Sequence, residues 1–181
     1  MVARIAPASE PFDAEVAHII DKTMKGRPPL QLFTTLARDP RLAKKFFAGG
    51  LLDKGNLTIR QREIVIDRTT ALCGSEYEWG AHIAGFGGSA GLTEEQVRAT
   101  VHGGAEAACW TQEQRLLIQL CDALHAQCDV DDALWAELQA AFSDNALIEL
   151  LMLAGFYRTV SYLTNALRLP LVPGCPRFPG M

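Results

Sequence analysis

Glu63, Ser75, Glu78 and His82 are the residues whose types and spacing suit proton chemistry. Glu63 falls in the series Ile59, Glu63, Ile66, Thr70 and Cys73, at three- and four-residue steps, which is one largely apolar face of a helix. A carboxylate held in such a face has three readings. It has a raised pKa and works as an acid or base near neutrality, it pairs with a structural arginine, or it faces a subunit boundary. Glu78 and His82 stand four apart on a second helix and can touch, which would orient the imidazole and raise its pKa beside an aromatic wall of Trp79 and Phe86. His82 equally fits a core histidine bonded to a carbonyl. Ser75 opens the same helix, but seven residues of rise put its backbone about 10 Å from that of His82, which is poor geometry for a nucleophilic Ser-His pair. Ser75 and Glu78 also spell a capping box, so Ser75 reads as the helix cap.

Other candidate motifs carry less. The run Gly85-Phe86-Gly87-Gly88-Ser89-Ala90-Gly91 is glycine-rich enough to suggest a phosphate cradle, but it follows a helix with no strand before it, so it reads as a helix C-terminus and turn. His18, His102 and His125 have no carboxylate or cysteine at metal-ligand spacing, and no metal site is expected. The five cysteines, Cys73, Cys109, Cys121, Cys128 and Cys175, include no Cys-x-x-Cys, which argues against a disulfide scaffold and a zinc knuckle. Cys121 and Cys128 are about 10 Å apart along a helix, too far to bridge.

The elements that must position these groups are helices. Ser or Thr followed three residues later by Gln or Glu recurs at Thr58/Gln61, Ser75/Glu78, Thr93/Gln96 and Thr111/Gln114, each a helix start. Apolar residues at helical spacing follow, as in Leu116, Leu117, Leu120 and Leu124, and no alternating stretch is long enough for a sheet. Asp131 and Ser143 can cap two more helices, and the segment from Asn145 to about Leu167 is the longest and most apolar, expected at the centre of the core or at a subunit interface. Asp13 to Met24 and Leu30 to Ala37 read as shorter helices, and Asp39-Pro40 opens another that ends at Gly49-Gly50. The proline-rich tail from Pro170 to Met181 reads as an extended arm on this subunit or a neighbour. The expectation is one all-α domain over 1–181 with about eight helices.

Composition fits an ordinary globular chain: 181 residues, 49% hydrophobic and 21% charged, far from the regime of disorder. Seventeen Lys and Arg against 21 Asp and Glu give a net charge of −4, with no basic run to neutralise a phosphate backbone, so no nucleic-acid partner is expected. The longest stretch free of charged side chains, Trp79 to Thr93, is too short and too glycine-rich for a membrane span, so no transmembrane helix is expected. Pro7, Glu10 and Pro11 interrupt any secretory signal core, and the expected address is the cytoplasm.

Glu63, the segment Cys73-Gly-Ser-Glu-Tyr-Glu-Trp-Gly-Ala-His82 and Gly91-Leu-Thr-Glu-Glu-Gln-Val97 together resemble the carboxymuconolactone decarboxylase family, which includes the alkylhydroperoxidase D-like (AhpD-like) proteins. The resemblance covers about residues 40–125, and Glu149 to Tyr157 with Asn165-Ala-Leu is similar to the last helix of longer single-domain members. It implies an all-helical, AhpD-like bundle that forms a homo-oligomer. In the peroxidase branch a glutamate precedes a Cys-x-x-Cys and a histidine. Here Glu63 and His82 match, whereas Ser75 and Glu78 stand where the thiols would be, so the dithiol cycle through sulfenic acid and disulfide lacks its sulfurs. Cys73 is the one thiol close to the motif, available to a rearranged peroxidase. The resemblance otherwise points to the decarboxylase side, whose members act on a small carboxylated lactone without a cofactor. On that reading His82 is the proton donor, Glu63 its partner or the base, and Glu78 an orienting group, while Tyr77, Trp79 and Phe86 form the substrate-binding side. A non-catalytic oligomer that binds a small molecule is the third reading.

Overall fold

The computed structural model describes residues 2–180, and among them it contains nine α-helices and no strand. They are α1 (Ala14–Met24), α2 (Gln31–Leu36), α3 (Pro40–Ala48), α4 (Ile59–Leu72), α5 (Glu76–Ala90), α6 (Glu94–His102), α7 (Gln112–Gln127), α8 (Asp132–Ala141) and α9 (Asp144–Ala166). The all-α expectation is met, with one helix more than the eight anticipated.

Three of the four capping boxes form with both reciprocal bonds, at Thr58/Gln61, Thr93/Gln96 and Thr111/Gln114. Asp131 and Ser143 cap α8 and α9 through their side chains. The fourth box is a correction. Ser75 occupies the N-cap position of α5, but its side chain caps nothing. The residue is fully buried, and its hydroxyl lies 2.7 Å from the Thr164 hydroxyl on α9. A buried hydroxyl facing another across a helix junction is satisfied there rather than by the backbone, and the Glu78 carboxylate turns toward His82 instead.

The centre of the molecule is α4. Every residue from Arg62 to Thr70 is buried, with α5, α6, α7 and α9 packed around it. Ile64, Val65 and Ile66 meet Leu117, Leu120, Leu150 and Leu153 in the main core, while α1 to α3 gather a smaller cluster of Val16, Ile20, Met24, Ala37 and Ala43. α9, expected at the centre of the core or at a subunit interface, packs one face on α4 within the core and leaves Ile148, Met152 and Tyr162 exposed. By length and composition α9 is the one described helix able to cross a membrane. Glu149 and Arg158 interrupt it, so it contains no long charge-free stretch.

With α4 surrounded by other helices, its arginines find partners inside the protein. Arg68 donates to Asp122 Oδ1 at 2.7 Å and to the Thr100 carbonyl at 3.0 Å. Arg60 reaches the Ala90 and Gly91 carbonyls at the end of α5, where Gly91 closes the helix at φ 65°. The tail lies on this subunit and crosses α5. Arg177 Nε and Phe178 N donate to Glu76, the Phe178 ring packs against Trp79, and the Pro176 carbonyl lies so close to Gly80 that a β-carbon there would collide with it.

Candidate functional site

Glu63 from α4, Glu78, His82 and Phe86 from α5, and Tyr157 from α9 meet at the junction of the three helices. Glu63 Oε2 lies 2.7 Å from His82 Nδ1, and Glu78 Oε1 lies 3.5 Å from His82 Nε2. The i to i+4 step on α5 sets the second contact. The packing of α4 against α5 makes the first, across 19 residues of sequence. The Tyr157 ring stands edge-on to the imidazole with centroids 4.9 Å apart, and the Phe86 ring lies 5.2 Å away on another side. Glu63 is completely buried and His82 nearly so.

Arg62 also belongs to the cluster. Its Nε donates to Glu63 Oε1 at 3.2 Å, and its guanidinium lies 5.8 Å from the centre of the Phe86 ring. Asp67, one helical turn beyond Glu63, is fully buried, and neither of its carboxyl oxygens has a hydrogen-bond partner among the described residues. Glu78 Oε2 is likewise buried without a partner.

The electrostatics follow from this arrangement. Burial alone would discharge the imidazole, but the hydrogen bonds and charges of Glu63 and Glu78 outweigh it and raise the His82 pKa from 6.5 to about 10. At neutral pH the ring is therefore an imidazolium with Nδ1–H held tightly by Glu63 and Nε2–H held loosely by Glu78. Desolvation, reinforced by the Glu63 charge, raises the Asp67 pKa well above the ordinary carboxyl range and favours its protonated form. Glu63 faces both His82 and Arg62, and Glu78 faces His82. Burial, followed by the repulsion of Glu78 and Glu63, pushes the Tyr157 phenol up and keeps it protonated.

Not every residue expected on the substrate side is directed at the imidazole. The Tyr77 hydroxyl accepts from the Leu32 backbone N–H at 3.2 Å and so fastens the start of α2. The Trp79 indole donates to Thr100 Oγ1 at 3.0 Å, and its ring packs under the tail. Phe86 does stand beside His82. Cys73 ends α4 as a half-buried free thiol, its pKa raised by burial with Arg158 opposing. The other four cysteines are also unpaired. Arg62, Asp67 and Tyr157 went unnoticed in the sequence. The step from Glu63 to Asp67 on an otherwise apolar face was the available signal for Asp67, and Tyr157 had none short of the fold.

Residues 40–120 match the carboxymuconolactone decarboxylase family. No curated protein sequence matches the chain. Among solved structures, a peroxidase-related protein of Silicibacter sp. TM1040 superposes with a TM-score of 0.82 at 16% identity, covering 94% of this chain and 92% of that one. A peroxidase-related protein of Ralstonia eutropha JMP134, described as an alkylhydroperoxidase AhpD core, gives 0.72 at 16% identity over 95% of each chain. The debrominase Bmp8, solved with 2,3,4-tribromopyrrole, gives 0.76 at 15% identity over 96% of this chain and 94% of that one. At these identities the likeness is one of fold.

Proposed function

Over residues 40–120 the chain belongs to the carboxymuconolactone decarboxylase family, and from that premise we propose that it is a cofactor-free acid/base enzyme acting on a small organic acid or lactone. The observation that carries the reading is the buried His82 ring held between the Glu63 and Glu78 carboxylates. The 3.5 Å separation from Glu78 leaves the Nε2 proton as the transferable one. In a decarboxylation the bond from ring carbon to carboxylate breaks, carbon dioxide leaves, and the electron pair remains as the lactone enolate. The Nε2 proton of His82 passes to carbon, and solvent restores it. Glu63 holds the ring in place through Nδ1 and stabilises its charged form, and the enclosed site strengthens each of these interactions.

The competing thiol-peroxidase reading rests on the AhpD-like structural neighbours. Its attacking group would be Cys73, a thiol that burial makes harder to ionise.

The test follows carboxymuconolactone and related carboxylated butenolides in D2O by NMR. Deuterium is expected at the ring carbon next to the lactone carbonyl, where the enolate takes its proton, with turnover falling about 10²- to 10⁴-fold in His82→Gln. Turnover unchanged in His82→Gln, or conversion of hydroperoxides but of none of these acids, would overturn the reading.

A further inference from the structure

We infer that Arg62 is the receptor for a substrate carboxylate and that the Phe86 ring is the platform for a flat, unsaturated body beside it, so the ligands of this site are small planar carboxylates. The inference deepens the acid/base reading and takes its site from it.

The first turn of α4 holds Arg60 and Arg62 and no acidic residue, although the positive end of a helix dipole disfavours cations. Arg60 is accounted for, because its guanidinium caps the last carbonyls of α5, where a cation is favoured. Arg62 is only partly accounted for. Its Nε serves Glu63, its Nη1 donates to the Leu52 carbonyl at 3.1 Å, and its Nη2 makes no hydrogen bond among the described residues. The side chain is nine-tenths buried. The edge formed by Nη1 and Nη2 is the one that takes a carboxylate in two parallel bonds, and a carboxylate is a stronger acceptor than the neutral Leu52 carbonyl it would displace. The helix N-terminus adds its field in the same direction.

Displacing that carbonyl need not unseat the loop that carries it. The far end of the loop is anchored by Glu149 Oε2, which accepts from both the backbone N and the Nδ2 of Asn56 at 2.7 Å. The Phe86 ring neighbours both groups, 5.8 Å from the guanidinium and 5.2 Å from the His82 ring, centre to centre. A flat molecule fixed by its carboxylate at Arg62 and resting on Phe86 would therefore lie within reach of the imidazole.

The test measures calorimetric binding of benzoate and of its neutral analogue benzamide to the full chain at pH 7. Benzoate is expected to bind at least tenfold more tightly. Arg62→Gln should erase the preference, and Arg62→Lys, which keeps the charge and loses the fork, should reduce it at least threefold. If Arg62→Gln does not fold, Arg62→Lys decides alone. An arginine that only supports Glu63 would lower the melting temperature of the variants and leave the benzoate-to-benzamide ratio unchanged, and that result overturns the inference, as does equal binding of the two probes to the natural protein. Benzoate binding requires no proton transfer to carbon, so the receptor and the proton-transfer reading fail separately.

Discussion

On the side of α5 that meets the tail, polar groups are paired. Glu76 accepts from Arg177 and from the Phe178 backbone, the Trp79 indole donates to Thr100, and His102 Nε2 lies 2.6 Å from the Pro179 carbonyl. On the side that meets α4 and α9, Glu78 Oε2 and, across from it on α4, both oxygens of Asp67 are buried with no partner among the described residues. Folding alone selects for the first arrangement, since a buried polar atom without a partner costs about 1–3 kcal/mol. On the acid/base reading proposed above, such atoms beside His82 belong to a site rather than to the scaffold. The contrast separates scaffold from site on one helix, and substitutions on the two sides should behave differently.

The largest effect is expected at Glu63. Glu63→Ala leaves the imidazolium and Arg62 buried without their shared carboxylate and should cost about 3–5 kcal/mol in urea denaturation. The His82 pKa, about 10 in the natural protein, should fall toward its unfolded value when followed by NMR. Because the folded pKa lies above the unfolded 6.5, the stabilisation from His82 is complete below pH 6.5 and is lost as pH rises through about 10. In Glu63→Ala that alkaline loss should shrink. An unchanged slope would mean that His82 does not owe its charge to Glu63.

On the tail side, Gly80→Ala puts a methyl group into the Pro176 carbonyl and should cost about 1–3 kcal/mol as the tail is pushed off. Removing residues 174–181 should reverse the sign, because alanine is then about 1 kcal/mol better than glycine inside a helix. If the substitution is equally harmful without the tail, the collision is not its cause.

Asp67→Leu should do the opposite of a normal core substitution and stabilise the protein, by about 1–3 kcal/mol at pH 7. The raised carboxyl pKa means that stability from Asp67 is present below its unfolded pKa of 3.8 and is lost as pH rises toward the folded value. The gain in the variant should therefore be small near pH 3 and grow as pH rises. A loss of stability at every pH would show that the carboxyl has a partner and that the two sides of α5 do not differ as described.

Local signals were legible in the sequence and distant ones were not. Thr58, Thr93 and Thr111 form their boxes because both partners lie within three residues, and the contact between Glu78 and His82 follows from a single helical step. The resemblance paired Glu63 with His82 before any fold was in hand, but nothing local does so, since the contact exists only when α4 lies against α5. Arg62, Asp67 and Arg68 are residue types that ordinarily mark a solvent face, whereas α4 is buried from Arg62 to Thr70. Polar residues inside a fully surrounded helix imitate a solvent face, and only the packing tells the two apart.

The smallest expected effect concerns Ser75, whose sequence spells a cap and whose hydroxyl bonds Thr164. Thr164 Oγ1 also donates to the Ser161 carbonyl at 3.2 Å, so its proton is committed and Ser75 is the donor of the pair. Ser75→Ala should then cost about 1 kcal/mol, the ordinary net value of a hydrogen bond. Thr93→Ala, which removes a true cap, should cost about as much. Single variants therefore cannot separate the two roles, but double variants can. If Ser75 bonds Thr164, the costs of Ser75→Ala and Thr164→Val overlap, and the double variant should fall short of their sum by about 1 kcal/mol. Thr93→Ala combined with Thr164→Val should be additive, because the two sites share no partner. Additivity in both pairs would return Ser75 to the role its spacing suggested and make α5 begin like α4, α6 and α7. Coupling in the first pair alone would mean that the start of the helix carrying His82 is fixed to α9 rather than by its own first turn, so that a shift of α9 would move the imidazole with it.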